Sequence, residues 1–192
     1  MSVRFIKDGS DPLSRWHHTP FVYKGLLFKD LTRWLAFNAV VKFAYPDLDD
    51  AQISAMVRKQ RRNVFKWRPY QRILSRVLDV QHVEEVLGIA KSHPDVKENW
   101  DAFLEQHAAQ IMYHGIKVRH GTCPTYLSEL LESQSISQIV EQSRDPFWGT
   151  GLDNKGKNYF GALLSKFRRE LVLNTPPPAA PPLEQGSNTP SS

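Results

Sequence analysis

A break in composition after Asn174 constrains the fold of this chain more than any other feature. The terminal stretch TPPPAAPPLEQGSNTPSS holds six of the thirteen prolines, no lysine or arginine, and a single acid, Glu184. Such a segment cannot bury enough apolar surface to offset the entropy of ordering it. Residues 174–192 are therefore expected to form a disordered, partly polyproline II tail. Folding falls to residues 1–173, a length that suits one domain with a sizeable core. Apolar residues make up 41% of the chain, and no run approaches the roughly 18 needed to cross a bilayer, so a soluble protein without a membrane partner is expected. The N-terminus MSVRFIKDGSD lacks an apolar signal core, and the lone Cys123 can close no internal disulfide or zinc cluster. A reducing, cytoplasmic location follows as an expectation.

Removing the tail leaves 25 bases and 19 acids, a net charge of +6 against +5 for the whole chain. The basic character belongs to the folding part and favours anionic partners. Within it, PFVYKGLLF (residues 20–28) reads as a hairpin about Lys24 and Gly25, because β-branched and aromatic residues flank a turn signal. Apolar residues from Asp30 to Tyr45 recur at helical spacing until Pro46. A second helix is expected from about Asp49 or Asp50. Residues 82–91, 99–116, 125–132 and 135–142 also read as helical. Between Asn158 and Leu173 the residues Phe160, Leu163, Leu164, Phe167 and Leu171 form one apolar stripe, as in a helix packed on a core. The expected class is α+β, mostly α-helical, with a small N-terminal β element.

The most unusual stretch is DPFWGTGLDNKGKN, Asp145 to Asn158. Gly149, Gly151 and Gly156 let backbone approach closely, Lys155 and Lys157 add charge, and the segment opens onto a helix whose N-terminal amides suit phosphate. Trp148 offers a flat face for a base or sugar. A glycine-rich turn anchored by buried aromatics is the alternative, and neither P-loop nor dinucleotide spacing is present.

The run Ile139 to Leu171 resembles the terminal motif of the NADAR, or YbiA-like, family: an acidic residue, D-x-x-W-G-x-G, G-x-N-x-x-G, and a helix ending in R-x-x-L. Glu141, Asp145, Trp148, Gly149, Gly151, Gly156, Asn158, Gly161 and Arg168 occupy the matching positions. DPLSRW (residues 11–16) with the following hairpin and helix resembles the family's first segment, and Trp100 with MYHGIKVRH (residues 112–120) its tryptophan helix. The resemblance implies a single YbiA-like domain that binds ADP-ribose or a related ribosyl phosphate and cleaves an N-glycosidic bond, for example between ADP-ribose and guanine in nucleic acid. No metal or cofactor is implied. Such chemistry needs stacking faces, phosphate donors and a carboxylate that positions water or stabilises an oxocarbenium-like carbon. On that basis Asp145 and Glu141 are the candidate catalytic residues. Trp148, Gly149, Gly151, Lys157, Asn158, Trp16, Trp100 and Arg119 are candidate ligand contacts.

The chain also departs from the pattern. Thr32 stands at the position of the family's glutamate and Ala39 at that of a lysine, while Arg15 replaces an asparagine and Arg119 a lysine. These changes support the alternative of a catalytically silent, nucleotide- or nucleic-acid-binding module. Eight bases and no acid lie between Arg58 and Arg76, interleaved with Phe65, Trp67 and Tyr70. This run, with Arg58, Arg61, Arg62, Lys66 and Arg68, reads as a phosphate or nucleic-acid rim, or else as a solvated helix face. His107, His114 and His120 lack metal-ligand spacing.

Overall fold

The computed structural model describes residues 2–60 and 69–174. Arg61, Arg62, Lys66 and Arg68 of the expected basic rim lie outside the described residues, as does 175–192 of the expected tail.

The hairpin forms where the turn signal places it. Strands β2 (Phe21–Tyr23) and β3 (Leu26–Phe28) pair antiparallel. The turn between them holds Lys24 at φ 47° and Gly25 at φ 78°, the two positive values that a two-residue hairpin of right-handed twist requires. Helix α1 (Leu31–Ala44) follows, with the Asp30 carboxylate accepting from the Arg33 amide at 2.8 Å, as an N-cap should. The Arg33 guanidinium turns back onto Asp30 and donates to the Val80 and Gln81 carbonyls.

Helix α1 is the centre of the molecule. Leu31, Trp34, Leu35, Ala36, Phe37, Ala39 and Val40 are all buried. Around it pack α3 (Pro69–Asp79), α4 (Val83–Ala90) and α7 (Ala109–His120). The remaining helices are α2 (Asp50–Gln60), α5 (Pro94–Glu98), α6 (Trp100–Phe103), α8 (Pro124–Glu132) and α9 (Tyr159–Asn174). The expected uninterrupted helix over 99–116 instead passes through a π-helical turn, Leu104–Ala108, between α6 and α7. Helix α9 includes Asn174, one residue past the expected boundary.

One expectation is overturned. Residues 135–142 are not a helix: a short 3₁₀ turn ends at Ser135 and Gln138–Glu141 forms strand β4. Its partner is β1 (Val3–Ile6), a strand that the sequence reading did not recognise. The two run parallel, in register from Val3 with Gln138 to Ile6 with Glu141. Ile136, Ile139 and Val140 satisfy helical spacing, but a run this short is decided by what it can pair with. Helix α9 crosses β4 so closely that a Cβ at Gly161 would collide with the Ile139 carbonyl.

Candidate functional site

Because β1 and β4 are parallel and in register, both end at the same place. The Gln142 amide continues the ladder, donating to the Ile6 carbonyl at 2.7 Å. Beyond that point the chain after Ile6 and the chain after Glu141 diverge, which is where open parallel sheets place ligands. A cleft of about 840 Å³ opens there, within the range of small-molecule sites. Lys7, Arg15, Trp16 and Thr32 line it, together with Gln142 to Asp145, the loop around Gly151 to Asn154, and Val83, Glu84 and Leu87 of α4.

Arg15 organises the wall. Its Nε donates to both oxygens of Glu141 at 3.0 and 3.3 Å, and its Nη2 to Asp145 Oδ2 at 3.1 Å. The guanidinium carbon lies 4.3 Å from the centroid of the Trp16 ring. Side chains of Arg15 and Glu141 are each 2% exposed, while that of Asp145 is 29% exposed. Of the two candidate carboxylates, only Asp145 meets the cleft; Glu141 stands behind it and holds Arg15. The other oxygen of Asp145, Oδ1, accepts from the Phe147 and Trp148 amides at 2.9 and 3.1 Å. Asp145 is therefore fixed by three donors.

Arg119 is not a ligand contact in this arrangement. It is completely buried and donates to the Ser14 and Pro12 carbonyls at 3.0 and 2.6 Å and to Thr19 Oγ1 at 3.0 Å. It staples the loop that carries Arg15 and Trp16. Thr32 lines the cleft and is bound to that loop through its amide and hydroxyl, both reaching the Arg15 carbonyl. Ala39 lies in the core and does not line the cleft.

The glycine-rich segment folds back on itself instead of cradling an anion. The Gly149 amide donates to the Asp145 carbonyl and the Gly156 amide to the Thr150 carbonyl. The first amides of α9, Tyr159 and Phe160, are taken by the Phe147 and Trp148 carbonyls, so that helix N-terminus is closed by its own loop. A Cβ at Gly149 would lie 2.6 Å from the Glu141 carbonyl oxygen, and one at Gly156 would strike the Gly149 carbonyl. These glycines allow backbone to cross backbone. Gly151, at φ 70°, does line the cleft.

Trp148 is 2% exposed and packs edge-on against Phe147, so its faces are not open to a base. Trp16, half-buried on the cleft, is the available ring. Asn158 clamps β4: its Oδ1 accepts from the Glu141 amide at 2.9 Å and its Nδ2 donates to the Ile139 carbonyl at 3.0 Å. Lys157 is exposed over the Phe147 and Tyr159 rings and away from the cleft lining. Trp100 is buried beneath Lys91, whose Nζ lies 4.4 Å from the ring centroid. The Arg58 guanidinium sits against Gly25 at the hairpin turn, also off the cleft.

Residues that sequence reasoning missed are Lys7, Glu84, Leu87, Arg144 and Asn154 on the cleft. Arg15 was read only as a departure from a pattern. Off the cleft lining, burial pushes the Lys91 ammonium below the ordinary lysine value, opposed by the fields of Asp101 and Asp145. Among the described residues no helix is long and apolar enough to cross a membrane.

No protein-family model matches the chain. It is 38% identical over 88 residues to the maize chloroplastic riboflavin biosynthesis protein PYRR, covering 45% of this chain and 13% of that protein. To N-glycosidase YbiA of Escherichia coli it is 26% identical over 87 residues, 45% of this chain and 51% of that one. The chain thus matches only part of each curated relative's length. The NMR structure of Escherichia coli YbiA superposes with a TM-score of 0.61 at 18% identity, covering 94% of both chains. The chain thus has a YbiA-like fold, and over 45% of its length its sequence is similar to those of PYRR and YbiA.

Proposed function

We propose that the cleft binds a ribosyl nucleotide of the ADP-ribose type, or a related ribosyl phosphate, and that Asp145 promotes hydrolysis of its N-glycosidic bond. In that reaction the C1′–N bond breaks and its electron pair leaves with the base nitrogen. Positive charge grows on C1′ and the ring oxygen, water adds to C1′, and the water's proton passes to the departing nitrogen. A carboxylate beside C1′ stabilises the growing charge and orients the water. The observation that carries this reading is Asp145 itself: partly open to an 840 Å³ cleft and fixed by Arg15 and two amides. A group fixed beforehand need not reorganise as charge develops. Trp16 supplies a face for the leaving base, with Leu87 and Val83 as apolar lining.

A second reading, a binding module without catalysis, draws on Thr32. At the position where the family carries a glutamate, this hydroxyl is committed to the Arg15 carbonyl and offers no acid or base. One experiment separates the two. The protein is incubated with ADP-ribosylated guanine DNA and with ribosylaminopyrimidine phosphate, and free sugar phosphate is followed. Release by the wild type that falls about 10²- to 10³-fold in Asp145→Asn supports hydrolysis. Full activity in Asp145→Asn removes Asp145 from the mechanism. A wild type that binds ADP-ribose and releases nothing establishes the module.

A further inference from the structure

We propose that Lys7 and Arg144 form a phosphate clamp at the strand-end wall of the cleft, so that the site takes phosphorylated ribosyl compounds and discriminates against the bare nucleoside; this rests on the ribosyl reading above. The argument begins with register. Ile6 pairs with Glu141 and the ladder continues to Gln142, so Lys7 leaves β1 where the segment leading to Arg144 leaves β4. Both side chains line the same cleft and both residues are exposed.

What sets these two cations apart is that the carboxylates near them in the chain are committed elsewhere. Asp8 is occupied by the amide and hydroxyl of Ser10, at 2.8 and 2.5 Å. Asp11 is paired with Arg4 at 3.0 Å. Glu141 and Asp145 are both held by Arg15. Among the described residues, neither Lys7 nor Arg144 makes a hydrogen bond or ion pair, although Asp8 feels the field of Lys7. Two unpaired cations facing one cavity attract an anion, and a guanidinium offers the paired donors that phosphate oxygens accept.

The negative groups of the cleft orient the ligand. Glu84 on α4 and Asp145 on the wall also line it, so a phosphate is favoured at Lys7 and Arg144 and disfavoured at those two carboxylates. Arg144 precedes Asp145 directly in the chain. Both side chains line the cleft, so a ribosyl phosphate with its C1′ at Asp145 has Arg144 on the same wall. The clamp and the proposed reacting carboxylate read the two ends of one sugar.

The test uses the full chain, calorimetric binding, and three probes: inorganic pyrophosphate, ADP-ribose and adenosine. The wild type is expected to bind pyrophosphate in competition with ADP-ribose. Lys7→Ala/Arg144→Ala is expected to lose pyrophosphate binding and to weaken ADP-ribose about ten- to a hundredfold, leaving adenosine unchanged. Lys157→Ala, a cation off the cleft, should alter none of the three. Pyrophosphate and ADP-ribose bound equally by the double variant and the wild type would overturn the clamp while leaving the ribosyl reading intact. Pyrophosphate binding that depends on the two cations, without any ADP-ribose binding, supports the clamp and overturns the ribosyl reading instead.

Discussion

The helical body and the strand-end half of the molecule are held together by different forces. Around α1 the contacts are mainly apolar, the buried Arg33–Asp30 pair at its start apart: Trp34 packs among Phe21, Tyr23, Phe28 and His114, and Phe28 also meets Phe37. In the strand-end half the principal ties are polar and buried. Arg15 holds Glu141 and Asp145, Arg119 holds the loop at Pro12 to Thr19, and Asn158 holds β4. Arg168 on α9 closes the set, donating to Ser133 and to the Ile136 carbonyl at 2.8 Å. Apolar packing is non-directional and tolerates repacking. Hydrogen-bonded charges fix direction, and a buried charge becomes costly once its partner is gone. The half that must aim groups at a cleft uses the directional force.

The contrast can be broken most forcefully at Arg15. Arg15→Ala leaves Glu141 buried without its partner and should cost about 3–5 kcal/mol in denaturant unfolding. A similar loss is expected from Trp34→Ala through the cavity it creates. The two differ in what restores them. Adding Glu141→Leu to Arg15→Ala should recover about 1–3 kcal/mol, since it removes the stranded charge. An additive double variant would mean that the strand-end half behaves like the body. Glycines give the next largest effect. Gly161→Ala drives a methyl into the Ile139 carbonyl and should destabilise by about 1–3 kcal/mol. Gly88→Ala in α4 meets nothing within 4 Å and should stabilise by about 0.5–1 kcal/mol. Thermal unfolding of both variants checks the pair; equal signs would erase the contrast.

The smallest effect is in pH. Burial pushes the His120 imidazole below its ordinary value of 6.5, its ring edge-on to Phe167 at 5.1 Å. The unfolded chain therefore takes up the proton first as pH falls. Stability contributed by neutral His120 is complete above 6.5 and declines as pH drops from there toward the lowered folded value. His17, also lowered by burial and by Arg119, acts in the same direction. Unfolding free energies at pH 7 and pH 5 should differ less in His120→Gln than in the wild type; an equal difference would show that His120 carries none of the acid sensitivity.

The hairpin and α1 were legible because their signals are local: Lys24–Gly25 needs positive φ, and Asp30 caps a strongly apolar run ended by Pro46. Strand β4 was not, because what decides it is β1, far away in the chain. The motif from Asp145 to Asn158 was legible as special, and of its two readings, phosphate cradle or glycine-rich turn anchored by buried aromatics, the structure has the second. Its glycines permit the crossings of backbone at Glu141 and Gly149, and Trp148 anchors the loop from inside. Lys7 and Arg144 belong to no pattern, so only the register of two strands brings them to one wall.

The pairing of β1 with β4 also bears on the order of assembly. Ser137 and Ser2 are joined by a hydrogen bond across 135 positions, and Arg15 and Glu141 across 126. Contacts of such sequence separation form against a large loop-closure entropy and slow the search for the native state. The hairpin and α1 are contiguous in the chain and can precede them. A nascent chain that has not yet reached Glu141 contains the helical body and no cleft, so the cleft arrives as one of the last events of folding, and probes of the cleft and of the helical core should report different refolding kinetics.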